Sequence, residues 1–412
     1  MSSGDPHSDA PTDPVAPTGH GQQPAAAGQP AYGGMPGEYS QRANPTRRPL
    51  RRKAITYGIM LTGFLLSGAV LALELGSGLA TQTIVLAALF SAIPLLVVVP
   101  TYLWLDRYEA EPTRYLIFGF AWGALCAAVG ALFLNSFFNV ILSLAGAQDP
   151  DTLSAVLSAP VVEEGLKGLG ILLVILLRRH QFDGIIDGIV YAGMIGAGFA
   201  FSENILYLGR IYMDYGQDGL TYLFVLRGVM GPFAHPLFTA CTGIGLGIAV
   251  AFMRTTGTRI LAGLGGYLCA ILLHGIWNLG ATTGGFLGVY LGVEVPLFLA
   301  FIGLIIWLRV REGRLIRQYL SQYADVGWLS HQEVAMLASL GARRQARDWA
   351  KQHGGRLALA SMRSFQDSAS DLALLRSRMA RGSAATDAQL GERALLDSIV
   401  AHRRGFIGSS AY

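Results

Sequence analysis

Charge is scarce in this sequence. Lys, Arg, Asp and Glu make up 14% of its 412 residues, while apolar and aromatic types make up 52%. A soluble domain carries about 25% charged residues, so this chain has too few to coat a water-facing surface of its size. That excludes an ordinary soluble enzyme, a disordered chain and a coiled coil. Cysteine is scarce as well. Cys126, Cys241 and Cys269 all fall in apolar stretches and read as small core residues, not as disulfides or ligands. The net charge is +4, yet the basic residues gather on no single patch, so no nucleic-acid partner is indicated. The apolar runs do not alternate as the strands of an outer-membrane barrel do. A polytopic, all-α bundle of transmembrane helices remains.

Nine of the 17 prolines precede residue 50. A segment this rich in Pro, Gly and Ala cannot bury enough apolar surface to offset its ordering entropy. Residues 1–50 therefore read as a disordered tail, too long and too Pro-rich for the n-region of a cleavable signal peptide. Eight runs of bilayer length follow, at about 54–73, 83–105, 114–138, 155–177, 184–208, 221–253, 260–280 and 286–308. The sixth is overlong, and Gly231-Pro232 is expected to kink it.

The loops give an orientation, because Arg and Lys collect on the cytoplasmic side. Arg47, Arg48, Arg51, Arg52 and Lys53 precede the first run. Arg107 and Arg114 follow the second, Arg178 and Arg179 the fourth, Arg254 and Arg259 the sixth, and Arg309, Arg311, Arg314 and Arg317 the eighth. Residues 74–82, 139–154 and 281–285 hold no Arg or Lys, and Arg210 is the one exception to the alternation. Both termini are thus expected in the cytoplasm. A transmembrane domain over 51–312 would precede a helical cytoplasmic tail over 313–412, with amphipathic stretches at 331–353 and 355–380 broken at Gly354-Gly355.

An ionisable group inside a span costs at least about 2.5–3.5 kcal/mol on insertion scales, so the few that occur mark function. The fourth run carries Glu163, Glu164 and Lys167; spacings of four and three bring the ammonium to the same side as each carboxylate. The fifth carries Glu203, the sixth Arg227 and His235 with Thr239, and the seventh His274 and Asn278, four apart on one face. Glu163 lies 15 residues before Arg178 and His274 lies 15 after Arg259, each about 22 Å from the cytoplasmic end. His235, 19 residues before Arg254, lies about 28 Å in. Four helices therefore bring polar groups to similar levels in the outer half of the bilayer.

That set suits the activation of water. A carboxylate, Glu163 or Glu164, can take its proton. Glu203, His235 and His274 can hold a metal such as Zn²⁺ or support an oxyanion, and Asn278 can add an amide donor. The spacing is not HExxH, so the sequence does not establish a metal, and a metal-free glutamate mechanism stays open. Arg227 reads as a snorkelling interfacial residue, Asp183 and Asp187 as helix-end groups, and Glu294 as interfacial. Buried Glu and His also mark ion pathways, so an ion- or proton-coupled transporter is the alternative.

Pro160-Val161-Val162-Glu163-Glu164-Gly165-Leu166-Lys167 resembles the EExxK motif of the PrsW family of intramembrane proteases. Phe199 to Glu203 is similar to its FxxxE element, His235 with Thr239 to its isolated histidine segment, and His274 to Asn278 to its HGxWN-type element. The loop Asp106-Arg107-Tyr108-Glu109-Ala110-Glu111-Pro112 is also similar to one in that family. The resemblance covers about 95–308 and implies an intramembrane endopeptidase of the bacterial inner membrane. It implies catalytic or metal-binding roles for Glu163, Glu164, Glu203, His235 and His274. It further implies a membrane-protein substrate, of the single-span type such as an anti-sigma factor, cut near the extracytoplasmic side.

Overall fold

Inside lipid every backbone N–H and C=O must be paired within the chain, and long apolar runs solve this as helices. The computed structural model describes residues 50–108, 111–178, 182, 184–382, 384 and 387–407. The chain divides into Met1–Thr56 and Tyr57–Tyr412. The expected disordered tail over 1–50 falls outside the described residues, apart from the first residue of the first helix, and so do Glu109, Ala110, Arg179 and Asp183.

Every described element is helical. α1 (Leu50–Gly78) and α2 (Thr81–Leu105) lead to α3 (Thr113–Ala121), which continues through a π-helical turn, Trp122–Ala127, into α4 (Ala128–Leu144). The short α5 (Pro150–Leu153), capped by Asp149, passes through a second π turn, Ser154–Ser158, into α6 (Ala159–Leu177). α7 (Ile185–Phe224) bends at Gly216, whose φ of 64° suits glycine, and ends in a third π turn, Val225–Met230. Then come α8 (Ala234–Ala251), α9 (Thr256–Thr282), α10 (Phe286–Val289), a fourth π turn at Tyr290–Glu294 and α11 (Val295–Asp325). α12 (His331–Leu337), α13 (Leu340–Ala380) and α14 (Ala388–Ile407) complete the chain.

Six described stretches are long and apolar enough to cross a membrane. One of them, Ile185–Ala251, spans 67 residues and holds both α7 and α8. α6 is not among the six because Glu163, Glu164 and Lys167 interrupt its apolar run. The kink expected at Gly231-Pro232 is a full break: residues 231–233 are non-helical and α8 starts anew at Ala234. The run read as one span over 221–253 is therefore the end of α7, the third π turn and α8.

α7 and α8 form the buried centre, and the large apolar side chains of α1, α9 and α11 face outward as a lipid-exposed belt. Small residues let the central pair touch. A Cβ on Gly188 would lie 2.0 Å from the Gly243 carbonyl oxygen, and one on Gly243 would lie 2.1 Å from that of Gly188, the close approach that membrane helices use. The core around Tyr102, Tyr191, Phe238 and Trp277 surrounds this pair. A second core, with Ile316, Leu320, Phe365 and Ile399, joins the end of α11 to α12, α13 and α14. The break expected at Gly354-Gly355 is a turn inside α13 at Gly355, with φ 65°.

Candidate active site

The cluster is assembled from α6, α7, α8 and α9. Pro160 starts α6, and the next turn carries Glu163, Glu164 and Lys167 inward, all buried. Glu164 is fully enclosed. Its Oε1 accepts from Lys167 Nζ at 2.8 Å and faces His274 Nδ1 at 3.0 Å, and its Oε2 accepts from the Thr239 hydroxyl at 2.9 Å. Glu163 is held more loosely. Asn135 Nδ2 donates to its Oε1 at 3.1 Å, while its Oε2 stands 3.5 Å from Lys167 Nζ and 3.8 Å from His274 Nε2.

Lys167 Nζ also meets His235 Nδ1 at 3.1 Å and lies 3.8 Å above the Phe199 ring. An ammonium only donates, so Nδ1 of His235 is the acceptor and Nε2 carries the proton. That Nε2 faces Glu203 Oε2 at 2.8 Å. Glu203 in turn accepts from Arg227 Nη2 at 2.5 Å, and Arg227 Nε donates to Asn204 Oδ1 at 2.7 Å. The π turn at Val225–Met230 carries Arg227, the kind of irregularity that re-aims a side chain at functional sites. The two imidazoles meet edge to face at 5.1 Å, and Phe238 stacks on His274 at 5.3 Å.

A cleft of about 820 Å³ opens beside the cluster, lined among others by Asn135, Glu163, Glu203, Arg227, Trp277 and Asn278. Glu164, Lys167 and the two histidines stand behind this wall. Five residues singled out in the sequence, Glu163, Glu164, Lys167, His235 and His274, form one connected network, and Glu203 joins it through His235. Asn278 lines the cleft but does not bond to the network. Its amide donates to the Ala155 carbonyl, 2.8 Å away on the second π turn. Arg227 is not a snorkelling residue, because Glu203, Asn204 and the face of Tyr207 hold it in the protein. Asn135 belongs to no motif, and spacing gave no signal for it. Asp187 is buried near the start of α7, and Glu294 is buried on the fourth π turn.

The ligand group expected from sequence was Glu203, His235 and His274. The residues whose donor atoms converge are instead Glu163, His235 and His274, with atoms within 4.8 Å of one another. Glu203 stands on the far nitrogen of His235, where Arg227 neutralises it. The Glu/His/His group could hold a metal ion by donor type, since zinc accepts these three at about 2.0–2.2 Å. By occupancy it does not fit. The ammonium of Lys167 already contacts His235 Nδ1 and Glu163 Oε2, so the ligand positions face a fixed cation.

A bundle of apolar helices encloses acid and imidazole groups beside an open cleft, an arrangement that suits hydrolysis inside a membrane. Residues 111–305 match the model of the PrsW family intramembrane metalloproteases. Protease PrsW of Geobacillus kaustophilus is 26% identical over 214 residues, covering 52% of this chain and 84% of that protein. Protease PrsW of Oceanobacillus iheyensis is 30% identical over 178 residues, 43% of this chain and 75% of that protein. Protease PrsW of Clostridioides difficile is 30% identical over 175 residues, 42% and 69%. No solved structure matches the chain. The chain belongs to the PrsW family: it is an intramembrane peptidase, a multi-pass protein of the plasma membrane acting on membrane proteins within the lipid bilayer. This is not a relationship that favours the transporter alternative.

Proposed function

We propose that the chain cleaves a peptide bond of a single-span membrane protein with Glu163 as the general base, near the extracytoplasmic side of the bilayer. The observation that carries this reading is the contrast between adjacent glutamates. Glu164 is sealed in and takes bonds on both oxygens from Lys167, His274 and Thr239. Glu163 lines the cleft and stands beyond hydrogen-bond reach of His274 Nε2, so its carboxylate keeps capacity for a water.

In this mechanism Glu163 takes a proton from water as the water oxygen bonds to the scissile carbonyl carbon. The carbonyl oxygen becomes an oxyanion, and its donors are the second N–H of Asn278 and the guanidinium of Arg227, both lining the same cleft. The C–N bond then breaks as the proton held by Glu163 passes to the leaving amine. Glu164 fixes His274 through Nδ1, and Glu203 fixes His235 through Nε2. The family resemblance makes an anti-sigma factor the first substrate to try.

The test is cleavage of a single-span substrate by purified full-length protein in vesicles. Glu163→Gln abolishes cleavage with thermal stability kept near wild type. Cleavage by Glu163→Gln within a few-fold of wild type would refute the assignment.

A further inference from the structure

We infer that the ammonium of Lys167 is the resident cation of the Glu163–His235–His274 group, so that a divalent metal binds there only once that charge is removed. This deepens the reading of the same cluster given above. An ammonium has three N–H donors. Lys167 meets three acceptors: Glu164 Oε1 at 2.8 Å, His235 Nδ1 at 3.1 Å and Glu163 Oε2 at 3.5 Å. Every donor has a partner, and two of those partners, His235 and Glu163, belong to the group that could hold a metal.

The imidazole of His235 leaves no second choice. A neutral ring has one lone-pair nitrogen, and Nε2 is engaged by Glu203 Oε2 at 2.8 Å. The lone pair is therefore on Nδ1, which points at the ammonium. To serve a metal, His235 would have to lose Lys167 or break from Glu203, which Arg227 holds in place. Lys167 has no route of retreat. It is fully buried, its amine rests on the Phe199 ring at 3.8 Å, and its backbone is in the middle of α6. A dication and an ammonium sharing two ligands in a water-poor interior repel strongly. His274 is the one donor left open: Glu164 orients its Nδ1, and its Nε2 faces Glu163 across 3.8 Å.

Taking the charge from Lys167 thus leaves Glu163, His235 and His274, whose donor atoms lie within 4.8 Å of one another, as a donor group without a cation. Full-length protein is stripped with chelator in detergent and titrated with Zn²⁺, and with Co²⁺ for its visible absorption. Wild type is expected to retain far less than one zinc per chain and to show no Co²⁺ band. Lys167→Met is expected to bind one Co²⁺ per chain, tighter by about ten-fold or more, the scale on which outer groups tune metal sites. Adding His274→Ala to Lys167→Met abolishes the band. Should Lys167→Met fail to fold, Lys167→Gln, which removes the charge and keeps a donor, is read in the same way. The inference is overturned if wild type holds one tight zinc that His274→Ala releases, or if a folded charge-free variant binds no tighter than wild type. Metal content is read without any cleavage, so failure here leaves the role of Glu163 to its own test.

Discussion

Glu163 and Glu164 adjoin in sequence and differ in everything that surrounds them. A helix turns by about 100° per residue, so one faces the cleft and the other faces α8 and α9. Removing the charge of Glu164 leaves Lys167 buried with its shortest partner gone. Breaking a buried pair in this way costs about 3–5 kcal/mol. Glu164→Gln is accordingly expected to lower the thermal midpoint in detergent, unlike Glu163→Gln, and equal midpoints for the two variants would contradict this division of roles. Asn135 offers a second contrast. Its Nδ2 donates to Glu163, while its Oδ1 is buried with no partner among the described residues. Asn135 lines the cleft, and substrate entry that uncovers this acceptor would pair it with a backbone N–H. Asn135→Ala should then lower kcat/KM about ten-fold, the worth of one hydrogen bond of about 1.4 kcal/mol. An unchanged kcat/KM would remove Asn135 from substrate binding. Neither Asn135 nor the pairing of Arg227 was legible in the sequence, because an amide or a guanidinium in a span gains its meaning from a partner on another helix. The paired glutamates, Lys167 and both histidines were legible, because each is too expensive in lipid to be incidental.

Elements carry these residues to one place through local irregularities that periodicity does not reveal. Four π turns interrupt the described helices, and one re-aims Arg227 while another frees the Ala155 carbonyl for Asn278. The break at 231–233 was readable from Pro232. The bend at Gly216 was not, since glycine is common throughout these spans. Close packing against α7 places the first turn of α8, with His235. A Cβ on Gly196 would lie 2.7 Å from Pro236 Cα and 2.9 Å from the His235 carbonyl carbon. Backbone cannot yield as a flexible side chain can, so Gly196→Ala pushes α8 outward at an overpacking cost of about 1–3 kcal/mol. His235 moves with it, away from Lys167 and Glu203. Cleavage should fall sharply and the thermal midpoint should drop, whereas Gly265→Ala, where an added Cβ meets nothing within 4 Å, should change neither. Equal behaviour of the two variants would show that this contact does not position His235.

At the scale of the whole molecule, the bundle and the C-terminal helices are joined through the loop after α2. Tyr108 donates to the Ala338 carbonyl at 3.0 Å, and Arg343 donates to the Tyr108 carbonyl at 3.3 Å and to the Gln366 carbonyl at 2.6 Å. Arg309 reaches the Leu105 carbonyl and Glu312, each at 2.9 Å, and stacks on Tyr108. Beside them Glu111 is bonded by Arg178 and by the Tyr191 hydroxyl. The resemblance marked the loop as one the family shares, but nothing in the sequence paired it with residues more than two hundred positions away. Asp106 sits in this junction, accepting from the Glu111 backbone N–H at 2.6 Å. Burial, with Glu111 and Glu312 nearby, lifts its carboxyl to about 8 from the usual 3.8, against the lowering effect of that backbone bond and of Arg309. The folded protein therefore holds a proton on Asp106 at neutral pH that the unfolded chain does not. Where the native state binds more protons, stability falls as pH rises. The contribution is whole below the ordinary carboxylate range and is lost as pH climbs through about 8. Thermal midpoints measured from mildly acidic to mildly alkaline pH should decline by a few degrees in wild type, and Asp106→Asn, which cannot titrate, should flatten that decline. Parallel pH profiles for the two proteins would mean that Asp106 is already ionised in the folded junction, and that the loop is held by its arginines without a bound proton.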